Sequence, residues 1–343
     1  MDHRGLHRHT MAQVKQESQI EDPGFKASFC GAKHVLKPML WKILLVTEVF
    51  IYSSYTILAH LCLVEGKLPF RSSSVVLCTE ILKIVLSIAM LLPELRRGDM
   101  TMPSLSNCLL FMVPAVLYCI NNNLSVYMQV QMDPTTYQIL GNMKVATTAV
   151  LYRIIIQRKP TVVQWISIGL LSISGILDSY GGLQTEGAVR SGEIHLTVSG
   201  LIMMCTYCCI SGFAGVYVEY ILKKHYQTSL HVQNTLMYTF GIVLNGGVWA
   251  VQEAWSGQGE DRRLDLFEGF TLKTWALVVS LAFNGLIMSA IMKHGNNITR
   301  LFIISCAMLV TTLLSVAIFQ LALNMYYVMA FVLVIVALYM YHR

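Results

Sequence analysis

Residues 113–149, VPAVLYCINNNLSVYMQVQMDPTTYQILGNMKVATTA, form two hydrophobic stretches joined by the short turn DP. In the first stretch, Tyr118, Asn121 and Asn122 are spaced i, i+3 and i+4, so a helix places all three polar groups on one face. Polar side chains gathered on one face of an apolar helix are costly in a membrane unless they meet a partner or a watery cavity. The stretch therefore predicts a paired membrane span that contributes to a binding site.

Lys144 is the decisive residue of the second stretch. It lies seven residues after Tyr137, about two helical turns, and shares its face. If Pro134 lies near the membrane surface, Lys144 lies roughly 15 Å deeper, close to the centre of a hydrocarbon core about 30 Å thick. No acidic residue lies within one turn of it, and its polar neighbour Gln138 is neutral. We expect Lys144 to receive an anion such as a phosphate, the alternative being a pair with a distant carboxylate such as Glu80.

The composition indicates a polytopic membrane protein. Of the 343 residues, 55% are hydrophobic and 13% are charged, with a mean hydropathy of +0.57, against about 25% charged residues in average soluble proteins. The net charge of +6 includes no basic block suited to nucleic acid. Ten candidate spans follow from the hydrophobic runs, at 41–63, 73–92, 107–130, 134–156, 162–181, 196–221, 232–251, 273–293, 299–321 and 323–341.

The basic residues predict the orientation of these spans. With ten spans, 17 lysines and arginines fall on the side of the N-terminus and 6 on the other, while Lys83 and Lys144 lie inside. The positive-inside rule therefore predicts cytoplasmic N- and C-termini. We expect a disordered cytoplasmic tail over residues 1–40 and two five-helix repeats over 41–185 and 195–343. Because five is odd, the two repeats would be inverted relative to each other.

Other polar residues inside the spans have two readings each. Glu80 and Lys83 are three residues apart, so they form either a self-neutralising pair or a coupling or gating element. Glu48 has no local partner, and it either faces the bundle or lines the path. Asn234 and Tyr238, at i and i+4, present an amide and a phenol to a base or sugar, or join two helices.

The second half adds a second basic pair and a serine. Lys293 and Arg300 flank a helix break, where they form either a phosphate clamp or a positive-inside anchor. Ser211 belongs to a run of small residues that suits close helix packing, and we also count it among the substrate-binding candidates.

Several classes of chemistry find no support in the sequence. It contains no P-loop, no GxGxxG motif after a strand, no metal-ligand spacing and no plausible catalytic triad. We therefore expect a protein that is not an enzyme and that needs neither a cofactor nor a metal ion.

The sequence resembles the nucleotide-sugar transporters, subgroup A of solute carrier family 35, which includes CMP-sialic acid, UDP-galactose and UDP-N-acetylglucosamine carriers. The matching blocks cover most of residues 41–341: TEILK at 79–83, YxxNNN at 118–123, MDPTTYQILGNMK at 132–144, SGFAGVYVE from 211, SLHVQNTLMYTFGI from 229 and MKHGNNITRLF from 292. The blocks VEGKLPFRSSSVVLCTE, MDPTTYQ and MKHGNNITRLF are most similar to the branch of UDP-sugar transporters.

The resemblance implies a ten-helix drug/metabolite-transporter fold in the Golgi membrane. It implies alternating access that exchanges a cytosolic pyrimidine nucleotide sugar or sugar alcohol, linked to UDP, CMP or CDP, for a lumenal nucleoside monophosphate. By motif match, Lys144 and Lys293 would meet the phosphates, and the nucleoside would be surrounded by Tyr118, Asn121, Asn122, Tyr137, Asn234 and Tyr238. Glycosyltransferases and further copies of the chain remain possible partners. A proton-coupled metabolite carrier of the same fold and a transport-inactive scaffold for glycosyltransferases remain as alternatives.

The chain departs from the CMP-sialic acid carriers at four places. Those carriers have Tyr-Gln at Gly141-Asn142, Gln at Asn121, Gly at Asn284 and Lys at Arg300. The floor of the pocket is therefore expected to differ, and the sugar specificity does not transfer.

Overall fold

The computed structural model describes residues 38–64, 68–98, 103–131, 134–157, 160–185, 198–256, 266–319 and 324–342. The chain divides into two units, Met1–Thr47 and Glu48–Arg343, and the site described below lies wholly in the second. Most of the predicted tail, residues 1–37, lies outside the described residues, as does the Met132-Asp133 pair before Pro134.

The described residues form twelve α-helices. In chain order they are α1 (Pro38–Leu61), α2 (Ser72–Arg97), α3 (Leu105–Leu110), α4 (Met112–Gln131), α5 (Pro134–Gly141), α6 (Met143–Ile155), α7 (Val162–Thr185), α8 (Val198–Lys224), α9 (Leu230–Ser256), α10 (Leu272–His294), α11 (Asn297–Phe319) and α12 (Met325–His342).

Eight stretches of these helices are long and apolar enough to cross a membrane. They correspond to eight of the ten predicted spans, and the chain is an all-α polytopic membrane protein. The other two predicted spans are also helical. The fourth is divided between α5 and α6, and the seventh is the 27-residue α9, where Gln233, Asn234 and Asn245 lower the mean hydropathy.

The third predicted span contains a break that we did not predict. α3 ends at Leu110 and α4 begins at Met112, with Phe111 fully buried between them. The cause is Pro114, which has no backbone N–H to donate to the carbonyl of Leu110 four residues earlier. The break falls about two turns before the first residue of the predicted polar face, Tyr118.

The fourth span breaks at Asn142, which the sequence analysis placed at the pocket floor. The side chain of Asn142 is buried, and its Nδ2 donates to the carbonyl of Gly175 at 3.1 Å and to Oγ of Ser179 at 2.9 Å. A Cβ atom on Gly175 would lie 2.5 Å from Oδ1 of Asn142, so only glycine allows this approach. Asn142 therefore joins this break to α7.

The helices pack in a pattern that relates the two predicted halves. α2 packs along α9, and α7 packs along α12. α2 also contacts α10, while α4 contacts α9. If each of the first five predicted spans corresponds to the span five places later, α2 corresponds to α9, α4 to α10 and α7 to α12. The α2–α9 and α7–α12 pairs then each correspond to themselves. The α2–α10 contact corresponds to the α9–α4 contact. This correspondence is what two repeats of one arrangement produce.

α12 shows how the helices meet lipid and one another. Its exposed face carries large apolar side chains, among them Val328, Val332 and Ile335, whereas Ala330 and Ala337 are completely buried. Small residues at a contact let helix backbones approach closely, and large apolar residues suit contact with lipid tails. Ala330 and Ala337 belong to a hydrophobic cluster that also includes residues of α6, α7, α8 and α11.

A buried carboxylate joins α6, α8 and α11. Glu219 of α8 is completely buried. Its Oε1 accepts from the hydroxyl of Tyr152 at 3.3 Å and from Nζ of Lys223 at 2.6 Å, and its Oε2 accepts from the backbone N–H of Asn297 at 2.6 Å. Nζ of Lys223 also donates to the carbonyl of Gly295 at 2.6 Å. The network therefore connects α6 of the first half to α8, to α11 and to Gly295, the residue that follows α10.

Candidate functional site

A cavity of about 250 Å³ lies among helices from both halves of the chain. Its walls come from α2 and α4 of the first half and from α8, α9, α10 and α11 of the second. The lining residues are Glu80, Lys83, Ala115, Tyr118, Asn122, Val218, Met237, Tyr238, Gly241, Asn245, Asn284, Gly285, Met288, Ser289, Met292 and Arg300. In transporters built from two repeats, the substrate site typically lies between the repeats.

Lys83 is the first of two cations in the cavity. Its Nζ forms an ion pair with Oε1 of Glu80 at 2.5 Å and lies 4.3 Å from the centroid of the Tyr238 ring. The two charged side chains are only 13% and 15% exposed. Gly285 makes room for the lysine, because a Cβ atom there would lie 2.8 Å from Cδ of Lys83. The spacing of Glu80 and Lys83 predicted this pair, and the structure adds that both members line the cavity.

Arg300 is the second cation. It reaches the cavity from the first turn of α11, where its Nη1 lies 3.5 Å from Oδ1 of Asn297. Its Nε is buried and has no hydrogen-bond partner among the residues that the structure describes. A guanidinium with an unused donor suits an incoming anion, since it can form charge-assisted hydrogen bonds to phosphate oxygens.

Amides and hydroxyls supply the neutral polar groups of the cavity. Oδ1 of Asn284 is buried, and no group in the described part of the chain hydrogen-bonds to it. Nδ2 of Asn234 donates to Oγ of Ser289 at 2.9 Å, and the hydroxyl of Tyr238 lies 3.4 Å from the carbonyl of Gly285. Because an amide offers both donors and acceptors, this wall can hydrogen-bond a nucleobase or a sugar.

The structure brings only part of the predicted site together in this cavity. Tyr118, Asn122 and Tyr238 line it, with Glu80, Lys83 and Arg300. Asn234 adjoins it through Ser289. These residues come from four of the six sequence blocks that carried the resemblance, those at 79–83, at 118–123, from 229 and from 292.

A second group of predicted residues lies where α4, α5 and α8 meet. Asn121 is 8% exposed and lies near Tyr207 of α8. Tyr137 also bonds to Tyr207, with ring centroids 6.5 Å apart. Lys144 is half-buried and acts electrostatically on Cys208, and Ser211 is half-buried one turn further along α8. None of these four lines the 250 Å³ cavity, and the side chain of Gln138 lies outside the described residues.

Lys293 lies at the end of α10, outside the cavity lining. It is 5% exposed, its Nζ donates to the carbonyl of Thr228 at 2.6 Å, and the ring of Tyr226 is 5.6 Å away. Glu94 of α2 acts on it electrostatically. Lys293 therefore has partners of its own in this conformation, and its role in binding phosphate stays a prediction.

The sequence analysis missed several lining residues as site residues. Asn245 and Ser289 were not singled out, and Asn284 was noted only as a departure from related carriers. A signal for Asn284 exists, because an amide inside an apolar span needs a partner. Val218, Met237, Met288 and Met292 give no such signal, since apolar residues are expected throughout a membrane helix.

Comparison with known proteins agrees with this architecture. A family model described as nucleotide-sugar transporter matches residues 37–342. A Xenopus tropicalis protein named "Probable UDP-sugar transporter protein SLC35A4" is 42% identical, over 90% of this chain and 93% of that protein. Proteins of the same name from Homo sapiens and Danio rerio are 38% and 39% identical, over 88% of this chain and 94% and 93% of theirs.

A solved crystal structure has the same fold. It superposes with a TM-score of 0.62 at 11% sequence identity, over 87% of this chain and 94% of that one. At such low identity the likeness concerns the arrangement of helices alone.

Proposed function

Because this chain belongs to the nucleotide-sugar transporter family, we propose that it carries a pyrimidine nucleotide sugar across the Golgi membrane in exchange for a nucleoside monophosphate. Lys83 and Arg300 bind the phosphates, and the amides and phenols of the cavity bind the nucleoside. The observation that carries this proposal is one cavity, built by both halves, that combines two cations with neutral hydrogen-bonding groups.

The charges of the cavity suit a phosphate ester. Nζ of Lys83 is held by Glu80 alone among carboxylates within 4 Å in the described residues, and Arg300 has an unused donor. A phosphate group carries several acceptor oxygens and can contact both cations at once. The phosphate can then replace the contacts that Lys83 makes with Glu80 and Arg300 makes with Asn297. Each buried cation therefore has a partner both with and without the ligand.

Alternating access follows from the position and the size of the cavity. Ligand pockets for drug-sized molecules typically measure about 300–1,000 Å³, so a cavity of about 250 Å³ has to widen for an entire nucleotide sugar. The related packing of α2 with α10 and of α9 with α4 supports two inverted repeats, over 41–185 and 195–343, that move against each other around the site.

Exchange rests on what the two ligands share. A nucleotide sugar and the matching monophosphate both contain the nucleoside and a phosphate, so the same residues bind both. Whichever ligand is present on a given side stabilises the conformation open to that side. The resemblance supports the Golgi location, and the asymmetry of basic residues supports cytoplasmic termini. Co-localisation of a fluorescent fusion of this chain with a Golgi marker tests the location.

The first experiment is a thermal-shift panel on the purified protein with UMP, CMP, GMP and AMP. A ligand that binds only the folded state raises the melting temperature by mass action. We expect UMP or CMP to raise it and the purine nucleotides to leave it unchanged. Folded protein that no monophosphate stabilises would contradict the proposal and favour a carrier of another metabolite or a scaffold.

A further inference from the structure

A second cavity, of about 390 Å³, lies among α1, α7, α11 and α12. Among the described residues, it shares no lining side chain with the cavity of the proposed nucleotide site. Its walls come from the last turns of α1 and α7, from the middle of α11 and from the first turn of α12. The cavity therefore lies towards the membrane face where α1, α7 and α11 end, which the distribution of basic residues predicts to be lumenal.

Asp178 of α7 brings a carboxyl group to this second cavity. No other acidic residue and no basic residue is found among the described lining residues. Asp178 is 9% exposed, and its Oδ1 accepts from Oγ1 of Thr312 at 3.1 Å. No described basic side chain lies within 4 Å of its carboxyl oxygens. Because a buried carboxylate is unfavourable without a counter-charge, a ligand that carries a positive charge would supply what the wall lacks.

Other acids of the spans differ from Asp178. Glu80 and Glu219 each form an ion pair with a lysine of the same helix. Glu48 is completely buried, but it lines neither cavity. Within the described part of the chain, Asp178 is thus the acid that combines burial, the lack of a basic partner and access to a cavity.

Aromatic rings form much of the remaining wall. Tyr52 and Tyr55 of α1 and Tyr327 of α12 line the second cavity. The rings of Tyr52 and Tyr55 lie 4.7 Å apart at an angle of 60°. A cation within about 6 Å of an aromatic face is attracted by the charge distribution of the ring, and proteins recognise quaternary ammonium groups in this way. Three rings and one carboxyl group are therefore a set of contacts that suits an organic cation.

The start of α12 is fixed against the part of α7 that carries Asp178. Nδ2 of Asn324 donates to the carbonyl of Gly181 at 2.8 Å. Its Oδ1 accepts from the backbone N–H groups of Tyr326 at 3.1 Å and Tyr327 at 3.3 Å. A Cβ atom on Gly181 would lie 3.3 Å from Cε1 of Tyr327. The ring of Tyr327 and the carboxyl group of Asp178 are therefore held on one wall without the help of a ligand.

The size of the second cavity favours an organic ion over a metal ion. A volume of about 390 Å³ falls within the range of about 300–1,000 Å³ that is typical of sites for drug-sized molecules. A bare metal ion would leave most of this volume empty. Oγ1 of Thr311 also lines the cavity, and it is buried without a hydrogen-bond partner in the described residues. A hydroxyl is thus available for a polar group of the ligand.

We propose that the second cavity binds a small organic cation, a protonated or quaternary amine. The carboxylate of Asp178 pairs with its charge, Oγ1 of Thr311 binds a polar group, and the rings of Tyr52, Tyr55 and Tyr327 contact its alkyl groups. The first cavity does not suit this ligand, because Lys83 and Arg300 line it and would repel an amine. The inference goes beyond the proposed nucleotide transport and does not depend on it.

The test is a thermal-shift titration of the full chain in an uncharged detergent, at constant pH and ionic strength. The probes are choline chloride and ethanolamine hydrochloride, and the neutral control is dimethylbutanol, the analogue of choline with carbon in place of nitrogen. We expect an amine to raise the melting temperature by mass action and dimethylbutanol to leave it unchanged. A shift by choline alone assigns a quaternary amine, and a shift by ethanolamine alone assigns a protonated one.

Matched variants connect the shift to the second cavity. Asp178→Asn removes the charge but keeps an acceptor for Thr312, and it should weaken binding of the amine by about tenfold or more. Tyr52→Leu should weaken it by about threefold and Tyr52→Phe should not, because the attraction belongs to the ring. The controls, Glu268→Gln in the loop before α10 and Tyr339→Leu at a ring that is 64% exposed, should bind as the unmodified chain does. Melting curves without a probe show that each variant is folded.

Three results would contradict the inference. No shift by either amine, in folded protein, would mean that the second cavity is not an amine site. Equal shifts by choline and dimethylbutanol would mean that the cavity selects for shape and apolar contact rather than charge. A shift that persists in Asp178→Asn would overturn the assignment to this cavity. The nucleotide panel is a separate measurement, so each of these results leaves the proposed function standing.

Discussion

At the scale of the residue, the question is which lysine meets the phosphate. The sequence favoured Lys144, whereas the cavity contains Lys83. We expect Lys83→Gln to weaken UMP binding by about 10- to 100-fold, because a hydrogen bond to a charged group contributes roughly 1.5–3 kcal/mol. Titration of purified variants with UMP measures this loss.

Lys144→Gln is the informative comparison for this prediction. The matched control is Lys273→Gln, which changes an exposed lysine in the first turn of α10. A loss confined to Lys144→Gln would reverse the assignment and require a conformation in which α6 turns towards the cavity. If Lys83→Gln and Lys144→Gln both weaken UMP binding, the two lysines contact the ligand in different states of the carrier.

Sequence reasoning identified Tyr118, Asn122 and Tyr238 because a polar side chain in an apolar span is costly unless it has a partner or lines a cavity. It ranked Lys144 above Lys83 because Glu80, three residues away, could neutralise Lys83. That ranking used depth along a helix and local spacing. Which lysine faces the cavity depends on how α2 packs against α9 and α10, and such packing leaves no mark in the spacing.

At the scale of the element, the close approach of α10 to α2 at Gly285 is testable. A methyl group there would press on Cδ of Lys83 and shift its ammonium from the ring of Tyr238. We expect Gly285→Ala to fold and to weaken UMP binding by about tenfold, since added volume in a packed site typically costs about 1–3 kcal/mol. Gly247→Ala on α9 has open space around its Cβ atom, and its affinity should match that of the unmodified chain.

The Glu219 network gives a prediction about stability at the same scale. Glu219→Ala leaves the N–H of Asn297, the hydroxyl of Tyr152 and one contact of Lys223 unsatisfied, and each buried unsatisfied group costs roughly 1–3 kcal/mol. We expect a clear fall in melting temperature, with a smaller fall for Glu219→Gln, which retains an acceptor. Equal melting temperatures for the two variants and the unmodified chain would mean that the network adds no stability.

Each of the ten predicted spans is mainly helical over its described residues, because long apolar runs and their loop signals are local properties of the chain. The breaks at Phe111 and Asn142 were not predicted. Pro114 carried a signal for the first break, since a proline removes one backbone hydrogen bond. The sequence around Asn142 carries no comparable signal for the second break, because the hydrogen-bond partners of Asn142, Gly175 and Ser179, lie on another helix.

At the scale of the whole molecule, exchange predicts counterflow. Liposomes that contain the protein and are loaded with UMP should take up labelled pyrimidine nucleotide sugar several-fold faster than empty liposomes, if both ligands use one site and alternate between the two sides. Rapid filtration measures the initial rates, and liposomes loaded with AMP are the control. Equal rates with and without internal UMP would exclude exchange as the mechanism.

The charges that line the cavity have an electrical consequence. Among the described lining residues, Glu80, Lys83 and Arg300 leave one positive charge in excess. Moving one elementary charge through a membrane potential of 100 mV changes the free energy by about 2.3 kcal/mol. The return of the empty carrier should therefore proceed at different rates in polarised and depolarised vesicles, and equal rates would mean that the excess charge does not cross the membrane field.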